Sequence, residues 1–246
     1  EGLMYAGHQK NNIFYVDRNP KNKKILKKLK IRSLKENTSL KIDLFILAVK
    51  PKDALSAYKE ILKDYKNPKI VSLVAGIKSK KYLEINKNIK FLRAMPNTSS
   101  RFNLGITALY NCTFSRSDFK KIVMLFKKIG IVIEVEKESK LDTFTGMIGS
   151  GPAYFFYLLK SYEKKLIPLC DGDKDKANYV MVNLIKGIGM SVENNKDLNK
   201  LIAAVASKKG TTEAGLKSFK SNNLDKVFEE GISAAIKRSK EISNEF

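Results

Sequence analysis

The sequence predicts an α/β protein in which a parallel, doubly wound sheet domain is followed by an all-helical domain. In the first part, short apolar runs of strand length alternate with charged segments of helical spacing. That alternation is typical of strand–helix–strand units joined by right-handed crossovers, which build a parallel sheet. From Ala153 onward the apolar residues recur at helical spacing only, which predicts successive helices.

Six runs rich in Val, Ile, Leu and Phe are predicted to be strands, because each has about the length of a buried strand. They lie at 13–16, 44–49, 70–74, 91–92, 106–110 and 131–135. Helical spacing is found between them at 25–29, 54–62 and 119–126. The lysine-rich segment 21–30 has a narrow apolar face, which favours a helix covering the sheet over one lying on a membrane.

The join between the two parts is expected at residues 139 and 140. Gly149, Gly151 and Pro152 are turn-forming residues close to the first long helical pattern. We therefore expect a sheet domain over 1–139 and a helical domain over 140–246.

The formal net charge of +22 comes mostly from lysine. Such a charge first suggests nucleic acid as a partner. The lysines are scattered along the whole chain, however, and arginine, the residue that bidentate phosphate recognition favours, is scarce. The charge therefore indicates a solvated surface, and we expect no nucleic-acid partner.

Cysteine and histidine are too scarce for several kinds of site. The two cysteines are far apart and His8 is the single histidine, so we expect no disulfide scaffold, no metal site and no Ser-His-Asp arrangement. No apolar run reaches the ~18 residues that a membrane span needs, and no signal peptide is evident at the start. We expect a soluble, cytoplasmic protein with no membrane partner.

Ligands of open parallel sheets bind beyond the carboxyl ends of the strands, so the loops there are the candidate sites. After the first predicted strand come Asp17, Arg18, Asn19 and Pro20. An acidic residue at this place accepts from the ribose of NAD, whereas Arg and Asn can hold the 2′-phosphate of NADP. Because both kinds of residue are present, the sequence leaves NAD, NADP and an ordinary turn closed by Pro20 open.

Three further loops offer groups to a flat, amide-bearing ligand. Residues 48–51 (AVKP) combine a small residue with a proline suited to a first helical turn, and Ala75 precedes Gly76. Residues 93–98 (RAMPNT) end with an amide and a hydroxyl that could bind a nicotinamide ring. Turns with capping residues are the alternative interpretation.

Two segments precede predicted helices in the second part. The backbone N–H groups of 149–153 could face an anion at a helix start. Lys208, Lys209, Gly210, Thr211 and Thr212 offer two hydroxyls and free N–H groups that could hold a carboxylate. A tightly packed helix cap in the first segment and a threonine N-cap in the second are the structural alternatives.

Taken together, these segments resemble the pyrroline-5-carboxylate reductase family over essentially the whole chain. The matching pieces, in the family's order and at similar spacing, are AVKP (48–51), AG (75–76), RAMPNT (93–98), LDTFTG (141–146), GSGPAY (149–154), GTTEAGL (210–216) and AAIKRSKE (234–241).

This resemblance implies a Rossmann-like parallel sheet domain followed by an all-helical dimerisation domain, which would form an intertwined homodimer or a larger homo-oligomer. The activity it implies is reduction of 1-pyrroline-5-carboxylate to L-proline with NADPH, or with NADH, as the last step of proline biosynthesis. The region 1–139 would bind the dinucleotide, and 140–246 would bind the substrate.

The resemblance also assigns roles to individual residues. The Thr212 hydroxyl would lie near the ring nitrogen as the catalytic group, and Asn37 would reach the adenosine end of the cofactor. Substrate-binding residues would be Val205, Gly210, Thr211 and Thr212. The other cofactor-binding residues would be Arg18, Asn19, Ala48, Val49, Lys50, Pro51, Ala75, Met95, Pro96 and Asn97.

The chain departs from the family pattern in three places. It opens at what resembles the end of the family's first helix, so the family's first strand and its Gly-x-Gly loop are expected to be missing from this sequence. Lys208 and Lys209 stand where the family usually has Pro-Gly, and lysine tolerates positive φ poorly, so another loop path or a mobile loop is expected. Ile148 stands where a small polar residue is common.

Two other functions remain as alternatives. One is another reductase of the 6-phosphogluconate dehydrogenase-like group acting on a hydroxy acid, although 149–154 lacks the Lys or His that those enzymes place there. The other is a basic nucleic-acid-binding protein that uses the dinucleotide fold only as a scaffold.

Overall fold

The computed structural model describes residues 1–34 and 40–245. The chain divides into two compact units: unit 1 is Glu1–Ser150 with the chain from Ala235 onward, and unit 2 is Gly151–Ala234. Unit 1 thus also contains residues 140–150 and the end of the last helix, which the sequence pattern predicts to belong to the helical domain. The assignment of functions to 1–139 and 140–246 stays a prediction.

Unit 1 contains a five-stranded sheet. Its strands, in spatial order, are β3 (Phe45–Leu47), β4 (Lys69–Ser72), β5 (Lys90–Pro96), β6 (Gly105–Asn111) and β7 (Gly130–Glu134). Two further strands, β1 (Phe14–Tyr15) and β2 (Arg32–Ser33), form a separate parallel pair. All six predicted strand runs overlap an observed strand. β2 was not predicted, because a strand of two residues is too short to show a hydrophobic pattern.

The sheet is parallel except at one place. β5 and β6 pair antiparallel, with Met95 opposite Ala108, while the other neighbours in both sheets are parallel. The predicted parallel sheet therefore contains one antiparallel pair, at β5 and β6. The connection 97–104 is too short for the crossover of a dozen or more residues that a parallel return needs, so the chain turns back as a hairpin.

Helices cover both faces of the sheet. The α-helices described in unit 1 are α1 (Gly2–Tyr5), α2 (Pro20–Lys28), α3 (Ala54–Asp64), α4 (Ser79–Ile85), α5 (Arg116–Lys127) and α6 (Lys140–Phe144), of which α3 to α6 pack on the sheet. Alternate residues of β5 point to opposite faces. Phe91 packs with Tyr58 and Tyr82 of α3 and α4, whereas Leu92 packs with Ile122 of α5.

Unit 2 is helical throughout. It consists of α7 (Gly151–Leu169), α8 (Lys174–Asn194), α9 (Leu198–Val205), α10 (Thr211–Ser221) and the first half of α11 (Leu224–Glu245). The predicted run of helices after Ala153 is therefore confirmed. None of the helices in the described ranges is long and apolar enough to cross a membrane.

The segment before α7 is not the turn that its glycines predicted. Residues Thr145–Gly149 form one turn of π-helix, and the Ser150 N–H donates to the Thr145 carbonyl at 2.9 Å. This turn joins α6 to Ser150, next to α7. The Ser150 N–H is therefore already used inside the helical segment, which weakens the predicted anion site at 149–153.

Candidate active site

Most of the predicted cofactor segments lie along one edge of the sheet in unit 1. β3, β4 and β5 are adjacent and parallel, so their carboxyl ends share an edge. Residues 48–51 follow β3, Ala75 follows β4, and 95–97 end and follow β5. Ala48, Val49 and Lys50 are exposed there. The structure thus brings together three loops that are far apart in the sequence.

Asn97 is held in a defined orientation at this edge. Its Oδ1 accepts from the Ile106 N–H at 3.0 Å, and its own N–H donates to the Ile106 carbonyl at 3.1 Å. With Oδ1 occupied in this way, the Nδ2 amide is the group that Asn97 can offer to a ligand as a donor. Asn97 therefore holds the turn into β6 through both hydrogen bonds to Ile106.

The loop after β1 uses its acidic residue internally. Asp17 Oδ1 accepts from the Asn19 N–H at 2.7 Å, and Oδ2 accepts from the Asn22 side-chain amide at 2.9 Å. Asn19 in turn accepts from the Lys21 N–H at 2.9 Å as the N-cap of α2. Asn19 therefore caps α2, which begins at Pro20, and both Asp17 oxygens already accept hydrogen bonds.

Arg18 points away from that cap. It forms an ion pair with Glu60, a residue of α3 that the sequence analysis did not single out. Both side chains are largely exposed, so this pair contributes little to stability. It leaves the Arg18 guanidinium accessible to a competing anion.

One thiol and one phenol of unit 1 have pKa values raised far above neutral pH. Burial raises the pKa of the Cys112 thiol to about 12, and burial, with a smaller contribution from Tyr82, raises that of Tyr58 to about 12. Cys112 therefore remains a thiol at neutral pH and offers no thiolate nucleophile.

The predicted substrate residues belong to unit 2. Val205 ends α9, and its side chain is exposed. Gly210 is the N-cap of α10, and Thr211 and Thr212 are its first residues. The first N–H groups of a helix have no intrahelical acceptors and carry the positive end of its dipole. The N–H groups of Thr211 and Thr212, predicted to bind the carboxylate, therefore belong to the first turn of α10. Asn37 lies outside the described residues.

The turn before α10 has a defined path despite its lysines. The Gly210 N–H donates to the Ser207 carbonyl at 2.9 Å, which closes a four-residue turn, and Lys209 has φ +59°. The Lys209 N–H donates to the Glu213 carboxylate. A Cβ at Gly210 would lie 2.3 Å from Ser207 Oγ. Lys209 therefore adopts the left-handed conformation that glycine adopts without strain.

Replacing Lys209 with glycine is expected to stabilise the protein. The left-handed conformation costs a residue with a Cβ about 1–2 kcal/mol, and glycine removes this cost. Part of the benefit is lost because glycine also makes the unfolded chain more flexible, which favours unfolding. We expect Lys209→Gly to raise the free energy of unfolding by about 1 kcal/mol in urea denaturation. Lys208→Gly, at a position without positive φ, is the matched control and should lower it. If both variants changed the free energy of unfolding equally, the backbone of Lys209 would not be strained.

The fold and this edge define a class: a dinucleotide-dependent oxidoreductase with a sheet unit and a helical unit. Residues 138–242 match the family model for pyrroline-5-carboxylate reductase dimerisation. The chain is 35% identical to pyrroline-5-carboxylate reductase 1 of Bacillus subtilis (strain 168), over 83% of this chain and 69% of that protein. The chain belongs to the pyrroline-5-carboxylate reductase family.

Solved structures of pyrroline-5-carboxylate reductases have the same fold as this chain. The pyrroline-5-carboxylate reductase of Coxiella burnetii aligns with a TM-score of 0.82 and 26% identity, covering 98% of this chain and 92% of that chain. The pyrroline carboxylate reductase of Plasmodium falciparum, solved with NADP bound, aligns with a TM-score of 0.84 and 24% identity, again covering 98% and 92%. The predicted family and fold class are confirmed.

Proposed function

We propose that this chain reduces 1-pyrroline-5-carboxylate to L-proline with NADPH, using the residues at the sheet edge for the cofactor and the start of α10 for the substrate. The observation that carries the proposal is the convergence of residues 48–51, 75 and 95–97 on one edge of the sheet. In open α/β sheets, this is the edge at which dinucleotides bind.

The residues at this edge suit a nicotinamide dinucleotide. Small Ala48 and Ala75 permit close approach of a flat ring, and Asn97 offers an amide donor. When bound, the reduced nicotinamide supplies the hydride. The protein's part is to hold the cofactor and the cyclic imine in place, and such positioning is worth on the order of 7 kcal/mol in favourable intramolecular models. A protonated imine is itself a strong acceptor, so no strong acid is needed.

NADPH is the preferred cofactor in this proposal. Discrimination in favour of NAD needs a free carboxylate for the ribose hydroxyls, whereas both oxygens of Asp17 already accept hydrogen bonds. Arg18 carries the planar donors that suit a phosphate, and its exposed partner Glu60 can be displaced. The loop therefore matches a 2′-phosphate better than a 2′-hydroxyl.

The substrate carboxylate is proposed to bind at the start of α10. The backbone N–H groups of Thr211 and Thr212 would donate to its oxygens, and the helix dipole favours an anion there. In this arrangement, the Thr211 side chain is dispensable, while the Thr212 hydroxyl is held for the ring nitrogen.

The different roles proposed for the Thr211 and Thr212 side chains can be tested with two alanine variants. Thr212→Ala should lower kcat/KM for 1-pyrroline-5-carboxylate about tenfold, the effect of one lost hydrogen bond of ordinary strength. Thr211→Ala keeps the backbone N–H and should retain kcat/KM within about twofold. Steady-state rates of NADPH oxidation provide the measurement. A Thr212→Ala enzyme as active as the parent would remove Thr212 from the mechanism.

We further propose that unit 2 forms a homodimer. Within Gly151–Ala234, the buried apolar side chains are only Leu166, Cys170 and Ala177. Many others on α7 and α8 are exposed, and Phe156, Met181 and Ile185 line an open groove between these helices. Apolar surface of this extent marks an interface in most proteins. A second copy is the fitting occupant because this unit lies within the dimerisation match.

The activity itself is tested by absorbance at 340 nm with 1-pyrroline-5-carboxylate and each cofactor in turn. Oxidation of NADPH faster than NADH supports the activity and the cofactor preference, and equal rates would remove the cofactor preference. No oxidation of either cofactor would contradict the activity. The cytoplasmic location and the expected absence of metal, nucleic-acid and membrane partners stay predictions.

A further inference from the structure

Arg93, in the middle of β5, is a charged residue in a buried position. Only 3% of its surface is exposed. Its Nη1 donates to Oε1 of Glu138 at 2.9 Å, and its Nη2 donates to the carbonyl of Val74 at 3.3 Å. Its Nε is buried with no hydrogen-bond partner within the described ranges. One guanidinium therefore joins the segment before α6 to the end of the β4 segment.

The carboxylate of Glu138 has a second set of partners. Oε1 also accepts from the Ser79 N–H at 2.6 Å, and Oε2 accepts from the Ser79 hydroxyl at 2.9 Å. Ser79 is the first residue of α4, so this N–H would otherwise lack an intrahelical acceptor. Glu138 thus fixes the start of α4 and neutralises Arg93 at the same time.

These contacts hold both ends of one loop. Val74 lies before Ala75 and Gly76, and Ser79 lies after them. Gly76 has φ +78°, and a Cβ built on it would lie 2.4 Å from Ile242 Cγ2. The loop is therefore held at its two ends and closely packed in its middle.

Stability alone gives little reason for this pair. Burying two charges costs desolvation energy that offsets their attraction, and apolar residues of similar volume often serve as well or better. Apolar clusters adjoin the pair on the same face of the sheet, one with Tyr82 and Phe91 and one with Leu141 and Phe144. An apolar pair would therefore fit between them, but it would leave the Val74 carbonyl and Ser79 without these partners.

We propose that Arg93 and Glu138 are positioning residues for the cofactor, acting through the loop between β4 and α4. This inference rests on the proposed function, in which Ala75 borders the nicotinamide dinucleotide. Neither residue touches the cofactor in the proposal. Their effect should appear in cofactor binding rather than in substrate binding.

The decisive variant is the apolar pair Arg93→Met with Glu138→Leu, made in the full chain. It should remain folded, with a melting temperature lowered by the unpaired Val74 carbonyl and Ser79 N–H, and it should raise KM and Kd for NADPH about tenfold, with KM for 1-pyrroline-5-carboxylate within about twofold. Fluorescence titration gives Kd and steady-state kinetics give KM. A stable double variant with parental Kd and KM for NADPH would overturn the proposal.

If the double variant does not fold, Arg93→Lys tests the positioning role instead. Lysine keeps the charge, but its ammonium cannot reproduce the fork that reaches both Glu138 and Val74, so Kd for NADPH should rise about threefold. An unchanged Kd would refute the proposal.

Asp118→Asn is the control, because it removes the Lys69–Asp118 ion pair of 3.0 Å in the same unit and should leave Kd for NADPH unchanged. A rise in Kd equal to that of Arg93→Lys would refute a specific effect. If the parent enzyme oxidises no NADPH, the proposed function fails. If the parent is active and the Arg93 variants bind NADPH normally, only this inference fails.

Discussion

Ile185→Asp is expected to separate the homodimer into monomers and to remove most of the activity. Ile185 lies in the open groove between α7 and α8, where its side chain is partly exposed in the single chain. A second copy packed on this groove would bury the new carboxylate without a partner. Such burial costs about 3 kcal/mol or more, which corresponds to a dissociation constant raised at least roughly 100-fold.

The measurement is the molar mass by light scattering over a concentration series, with NADPH oxidation followed on the same samples. Lys174→Asp, at the exposed start of the same helix, adds the same carboxylate outside the groove and should remain dimeric and active. An Ile185→Asp protein that stays dimeric at nanomolar concentration would exclude this groove from the interface. Obligate dimers lose folded protein together with association, so circular dichroism should accompany the dilution series.

Arg18→Ala is expected to change the choice of cofactor. In the proposed site, the Arg18 guanidinium leaves Glu60 and binds the 2′-phosphate of NADPH. Hydrogen bonds between charged partners contribute about 1.5–3 kcal/mol, so kcat/KM for NADPH should fall roughly 10- to 100-fold. NADH has no 2′-phosphate, and its kcat/KM should stay within about twofold.

Arg116→Ala provides the matched control, since Arg116 is an exposed arginine at the start of α5. It should leave the ratio of the two kcat/KM values unchanged. Glu60→Gln removes the competing carboxylate and should move the ratio further toward NADPH. If Arg18→Ala lowered kcat/KM equally for NADPH and NADH, Arg18 would support the fold and would not bind the 2′-phosphate.

Local patterns in the sequence determined the elements of the fold and the candidate loops. Hydrophobic period distinguishes strand from helix because it records which face of a segment is buried. This placed β3 to β7 within a few residues and the helices after Ala153. The family motifs, such as RAMPNT at 93–98, then located the residues at the sheet edge.

The tertiary structure alone decided which segments meet, because a hydrophobic pattern reports that a residue is buried without naming its partner. Glu60 pairs with Arg18, and Glu138 with Arg93, across long stretches of chain, and neither glutamate had any local signal. The reversal of β6 followed from the short connection 97–104. The hydrogen bonds of Asp17 depend on the path of its loop, which the sequence does not specify. The positive φ of Lys209 could not be predicted either, because this conformation is usually marked by glycine and the position holds lysine.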